Sequence, residues 1–229
     1  MRNFLKPLIS ISLLAVACTA FGAGGGSMPS MGSTRSASPS LTPAEQAVVA
    51  YNDGVHGVET GDQLIADAAH QDDSKKQQKM LGKAKSAYAS ALKKFTKATQ
   101  LNPQMHEAWN YVGYTNRRLG NYEAALTAYD RALALKPGYV EAIEYRGHAY
   151  LGLNRLGDAK DAYLSLFGSN RKLAAQLLTA MQAWVGEHRG NPAGVDGTSL
   201  EAFASWVNER SAIASQTASL TREGASARW

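Results

Sequence analysis

The chain has one cysteine, Cys18. Its folded part is therefore expected to form no internal disulfide and to offer no thiolate nucleophile or cysteine metal site, so stability must come from packing. The apolar run from Leu8 to Ala17 is too short to span a bilayer comfortably. Charge of one sign is also scarce: the formal net charge is +5, about +3 without Arg2 and Lys6, and it reads as spread over a long surface. Such a balance gives nucleic acid little to grip. The histidines, His56, His70, His106, His148 and His188, are scattered, with no His-Glu-x-x-His helix and no second histidine at ligand spacing. There is no Gly-x-Ser-x-Gly elbow, phosphate loop or dinucleotide fingerprint, and the glycine tract near Gly24 precedes no helix that binds phosphate. The expectation is a protein without catalysis, metal or cofactor.

At the N-terminus, Arg2 and Lys6 precede the short apolar run in the layout of a secretory signal peptide, which predicts export from a bacterial cytoplasm. Two cleavage readings stand side by side. Ala20-Phe21-Gly22 puts small residues where a general signal peptidase needs them, giving a signal over residues 1–22 and a soluble periplasmic protein. Ala15-Val16-Ala17-Cys18 resembles a lipoprotein signal with Cys18 as the lipidation site, although Ala15 stands where such signals usually carry Leu. Membrane attachment is expected only if Cys18 is lipidated. Residues 23–40, rich in Gly, Ser, Met and Pro, cannot bury enough apolar surface to offset their ordering entropy and read as a disordered linker.

Helix signals begin at Thr42-Pro43-Ala44-Glu45, a capping box with proline in the first turn. Val48, Tyr51, Val55, Val58 and Ile65 then recur on one helical face, while Gly54, Gly57 and Gly61 predict a break near Gly61. A second start is predicted at Ser74, with Gln77 completing another capping box. Met80, Leu81, Ala84, Ala87, Tyr88, Ala91, Leu92, Phe95 and Ala98 continue as one apolar stripe.

Thirty-four residues separate Leu101-Asn102-Pro103 from Leu135-Lys136-Pro137, and the same interval links Tyr88 to Tyr122, Ala91 to Ala125, Phe95 to Tyr129 and Ala98 to Ala132. Between the prolines, Trp109, Gly113, Ala125, Tyr129, Ala132 and Pro137 fall where tetratricopeptide (TPR) repeats carry Trp, Gly, Ala, Tyr, Ala and Pro. The chain resembles a TPR protein. The resemblance implies an all-α helix-turn-helix solenoid of about three repeats, over residues 41–168, that holds protein or peptide partners and does no chemistry. Repeat two runs from His106 to Tyr139, and repeat three from Val140 to about Phe167 with Gly147, Tyr150, Ala159 and Tyr163 in register. Two positions depart from the family: Asn116 stands where Tyr is favoured and Arg146 where Leu is favoured.

Repeat one is longer than a standard repeat by about twenty-five residues, roughly seven turns shared between two helices. Such a hairpin is either an elongated end cap or an arm for docking or dimerisation. At the other end, residues 169–215 read as capping helices. Leu173, Leu177, Leu178, Met181, Trp184 and Val185 form a stripe over Arg171 to His188, stopped by Gly190-Asn191-Pro192. A further helix carries Leu200, Phe203, Trp206, Val207 and Ile213 after a third capping box, Thr198 with Glu201. Residues 216–229, ending in Trp229, read as a flexible tail.

In TPR proteins the first helix of each pair lines the concave face. By that resemblance the candidate ligand-binding residues are Asn110, Tyr114, Arg117 and Arg118, with Glu107, from repeat two, and Glu141, Glu144, Tyr145 and His148 from repeat three. Tyr and Arg are the expected anchors for an extended peptide or partner helix. Val48, Tyr51, Val55 and Val58 form either an apolar end to the groove or a stripe packed inside the hairpin. The clamp by which some TPR domains hold acidic chaperone tails uses Lys, Asn and Arg. Here Tyr111, Glu141 and Tyr145 stand at the corresponding positions, and an acid facing a carboxylate repels it. The functional expectation is a scaffold or adaptor in the cell envelope, or alternatively an oligomer-forming structural subunit of an envelope assembly.

Overall fold

The computed structural model describes residues 41–190 and 194–226, with side chains as far as Thr217. The signal peptide, Cys18, the linker, Asn191-Pro192 and Trp229 lie outside the described residues. Among the described residues there are eight helices and no strand: α1 (Pro43–Ala69), α2 (Ser74–Leu101), α3 (His106–Arg118), α4 (Tyr122–Leu135), α5 (Val140–Gly152), α6 (Leu156–Ser169), α7 (Arg171–Gly190) and α8 (Gly197–Ser226). Each helix packs on the next in chain order, and α3 also meets α5 while α5 meets α7, so α3, α5 and α7 lie side by side. This is an all-α helix-turn-helix solenoid.

The first hairpin is long, with helices of 27 and 28 residues against 13 and 14 for α3 and α4. Its opening follows the sequence signal: the Glu45 N–H donates to the Thr42 hydroxyl and the Thr42 N–H donates to the Glu45 carboxylate. The predicted break near Gly61 does not occur; α1 runs unbroken to Ala69. The glycines are there for α2. Gly54, Gly57 and Gly61 share one face, and a Cβ on each would sit 2.7 Å from the Phe95 ring, 3.0 Å from the Ala91 methyl and 2.7 Å from the Tyr88 ring respectively. The helix-propensity cost of three glycines, about 1 kcal/mol each, is set against close approach of two long helices.

Two other predicted caps are corrected. At the second start the cap is Asp73, whose carboxylate accepts from the N–H groups of Lys75 and Lys76, whereas Gln77 reaches back to the Ala68 carbonyl and closes the hairpin turn. At α8 the Ser199 N–H donates to Asp196, and Glu201 instead forms a two-pronged pair with Arg189 at the end of α7. In both places an aspartate slightly earlier in the chain takes the cap, as its short charged side chain suits. The helical backbone of α8 also continues past Gln216, where the sequence suggests a tail, to Ser226.

The glycine contacts fix the register of repeat one. Gly54 receives Phe95 as Gly113 receives Tyr129, and Phe95 and Tyr129 are 34 residues apart. Gly54 therefore occupies the place of Gly113, and the added length lies between Gly54 and Phe95, toward the hairpin tip. Repeat three departs from this pattern. Gly147 is filled by Leu177 of α7 rather than by Tyr163, and Tyr163 turns instead to Phe167 and to Trp206 of α8. The capping helices thus insert into the third repeat as a further repeat would.

The two departures from the family pattern resolve differently. Arg146 runs out to Asp130 at 2.7 Å, with its guanidinium near the Tyr150 ring. Asn116 is buried at 8% exposure and donates to the Val112 carbonyl, while its own side-chain oxygen accepts from Asn121 across the turn. That turn needs a left-handed residue, Gly120 at φ 84°, and its counterpart 34 residues later is Asn154 at φ 56°. Asparagine is among the few non-glycine residues that tolerate this conformation.

Candidate partner-binding face

The site is built where α1, α3 and α5 meet. Asn110, Tyr114 and Arg117 recur at four and three residue steps along α3, and Glu141, Tyr145 and His148 do the same along α5, so each set shares a helical face. Five of the eight residues singled out from sequence are half-buried there: Arg117, Arg118, Glu141, Tyr145 and His148. Tyr114 and Glu144 are buried at 8% and 6% exposure, and Asn110 at 1%.

The aromatic residues form a continuous row. Tyr111 packs edge-on to Tyr51 at 5.6 Å and stacks on Phe95 at 4.8 Å. It also neighbours Tyr114, which meets Tyr145 at 5.1 Å. Two cations lie against this row. Arg117 sits 5.1 Å from the Tyr114 ring and 5.6 Å from Tyr145, and Arg118 sits 4.9 Å from Tyr88 and 5.8 Å from Tyr114. Burial works against the Arg117 charge, but Tyr129, Tyr114 and Glu144 around it outweigh that and raise its pKa. It stays charged at every physiological pH.

Asp62, which belongs to no sequence motif, ties the hairpin to this row. Its carboxylate accepts from the Tyr88 hydroxyl at 2.5 Å and from the Tyr114 hydroxyl at 2.8 Å, and lies 3.5 Å from Arg118. One residue before it, Gly61 admits the Tyr88 ring. The only sequence sign of this role is an acid following a glycine on an otherwise apolar face. On α5, Glu144 lies 2.8 Å from His148. Among the described residues neither polar atom of the Asn110 amide has a hydrogen-bond partner. The four valine and tyrosine positions left open between groove and hairpin divide: Tyr51, Val55 and Val58 are buried in the core shared with α2, and Val48 is half-exposed.

This arrangement can hold a ligand by stacking, by hydrogen bonding and by charge of both signs. At the chaperone-clamp positions, Tyr111 and Tyr145 carry rings of the row and Glu141 carries an acid. Among the described residues no three His, Cys, Asp or Glu side chains gather as a metal site.

The buried phenols make the face sensitive to alkali. Burial raises the pKa of Tyr51, Tyr88, Tyr114, Tyr129, Tyr139 and Tyr145, and pushes Tyr111 up to about 12. A folded pKa above the unfolded value of about 10 gives stability that is complete below pH 10 and is lost as pH rises through the folded value. Tyr111 alone accounts for about 3 kcal/mol over that window. Tyrosinate absorbance and loss of helical circular dichroism should therefore rise together in one steep step above about pH 10. Ionisation of most tyrosines before any loss of helix would contradict this burial.

Residues 82–140 match the family described as tetratricopeptide repeat. The solved structure of the first TPR of Spaghetti (RPAP3), bound to the HSP90 peptide SRMEEVD, is similar over 55% of this chain and 94% of that one, at 22% identity and a TM-score of 0.38. The 34-residue period, the glycine-to-ring register and the matched segment agree, and residues 82–140 are tetratricopeptide-repeat sequence folded as such repeats.

Proposed function

We propose that the face shared by α1, α3 and α5 binds an extended segment of a partner protein, and that the chain acts as a scaffold or adaptor in the bacterial cell envelope. The observation that carries this reading is the row Tyr111, Tyr114, Tyr145 with Arg117 and Arg118 laid against it. Such rings and guanidiniums give contact area with little entropy to lose, because their neighbours already hold them. Arg117, Arg118, Glu141, Tyr145 and His148 are the accessible contacts, whereas Asn110, Tyr114 and Glu144 lie beneath and hold their positions. The envelope part rests on Arg2, Lys6 and the Leu8–Ala17 run, with Cys18 as the lipid attachment point under the lipoprotein reading.

A photo-crosslinking residue placed at Glu141 on this face, and separately at exposed Asp161 on α6, tests the proposal in intact cells. A discrete crosslinked protein from position 141 and none from position 161 is the expected result. Equal labelling from both positions, or labelling only from position 161, would move the interaction off this face.

A further inference from the structure

The chain's charge is not spread evenly. Helix α1 carries five acids, Glu45, Asp53, Glu59, Asp62 and Asp67, with no Lys or Arg; α2 carries eight lysines with no acid. All eight lysines are exposed. Wound at 3.6 residues per turn, Lys75, Lys76, Lys79, Lys83, Lys93, Lys94 and Lys97 fall within an arc of about 100°, opposite the buried stripe of Ala84, Tyr88, Ala91, Phe95 and Ala98. The strip is about 33 Å long. Between its two lysine clusters the arc holds Ser86 and Ser90, with Gly82 at its edge, all exposed and small. Asp53 of α1 meets one member, Lys94, at 2.8 Å, and Asp72 and Asp73 stand at the N-terminal end.

We infer that this lysine strip rests on an anionic lipid surface, laying the long hairpin flat against a bilayer with the partner-binding face turned elsewhere. Charge complementarity carries the inference. Seven ammonium groups along a straight edge, of which Lys94 is already paired with Asp53, match phosphates that move freely in a fluid plane. Lysine, a hydrated point charge, needs no fixed geometry, in contrast to the forked guanidinium that reads a fixed phosphate or base. A nucleic acid is the less fitting polyanion, because the strip offers no exposed ring for bases to stack on; Tyr88 and Phe95 are buried on the opposite side. An acidic protein fits less well too, because between Lys75 and Lys97 no aromatic or large apolar anchor lies within the arc; exposed Leu81 falls outside it, and Leu101, one turn beyond Lys97, is partly buried. The binding is electrostatic and superficial, since the arc presents nothing to insert into the hydrocarbon. It is independent of whether Cys18 carries lipid.

The test is co-sedimentation of the full chain with vesicles of phosphatidylcholine alone and with phosphatidylglycerol added. The wild type is compared with Lys79→Gln/Lys83→Gln/Lys97→Gln and with Arg131→Gln/Lys136→Gln/Lys172→Gln, a control removing as many charges from elsewhere. Glutamine matches lysine in helix propensity, so helicity is expected to be unchanged and is checked by circular dichroism. The strip variant should lose roughly 100-fold in its preference for anionic over neutral vesicles, and the control should keep it. Raising salt should erase the wild-type preference. Equal partition of the wild type into both vesicles, equal loss in both variants, or retention on duplex DNA in preference to the anionic vesicles at the same salt would each overturn the inference.

Discussion

Truncation after Asn170, which removes α7 and α8, is expected to leave a chain that no longer unfolds cooperatively and that aggregates. The two helices are not an appendage. Leu177 fills the notch at Gly147, Trp206 packs edge-on to Tyr163 at 5.4 Å, and one core runs from Ile143 through Leu166, Met181 and Trp184 to Phe203 and Val207. Leu177 and Met181 are fully buried, and Phe203 and Val207 are each 1% exposed. Burying a large apolar side chain contributes about 1.5–3 kcal/mol, so losing half a dozen of them costs about as much as the 5–15 kcal/mol of a whole domain. The truncated protein should bind a hydrophobic dye and melt without a defined transition. A soluble monomer with an unchanged melting temperature would mean that repeats one to three stand alone.

Gly113→Ala should destabilise the protein by about 2 kcal/mol even though alanine is the better helix former. Its new methyl would fall against the ring of Tyr129, which has no accessible surface and is held between Ala125 and Ala132, also fully buried. The melting temperature should drop by roughly 4–8 °C. Gly82→Ala is the natural control, since nothing lies within 4 Å of the position and the helix there faces solvent. It should stabilise by about 0.5–1 kcal/mol. Opposite signs for the same chemical change separate packing from propensity; stabilisation by both would show that the Tyr129 contact is loose.

What was legible in the sequence follows from which physical signals are local. The 34-residue period, the stripe through Ala84, Tyr88, Ala91, Phe95 and Ala98, and the excess length of the first hairpin are patterns along one chain, and the helices follow them. The break expected at Gly61 failed because propensity counts the cost of a glycine and not the ring lodged against it. Ser74 and Thr198 carried the right residues for caps, but Asp73 and Asp196 lie close by, and Glu201 was drawn to Arg189 on another helix. Asp62 was invisible for a similar reason: its partners Tyr88 and Tyr114 are 26 and 52 residues away. The lysine strip vanished into the net charge, where the acids of α1 cancel much of α2.

Helices keyed together by rings seated on glycines underlie both the register of the long hairpin and the placing of the tyrosine row. The most direct measurement is the proton NMR shift of the glycine Cα hydrogens. Those of Gly54, Gly61 and Gly113 face the rings of Phe95, Tyr88 and Tyr129 and should be strongly displaced by ring currents, whereas those of Gly82 and Gly186, with nothing nearby, should lie at ordinary helical values. Ordinary shifts at all five glycines would contradict the keyed arrangement and, with it, the face on which partner binding is proposed.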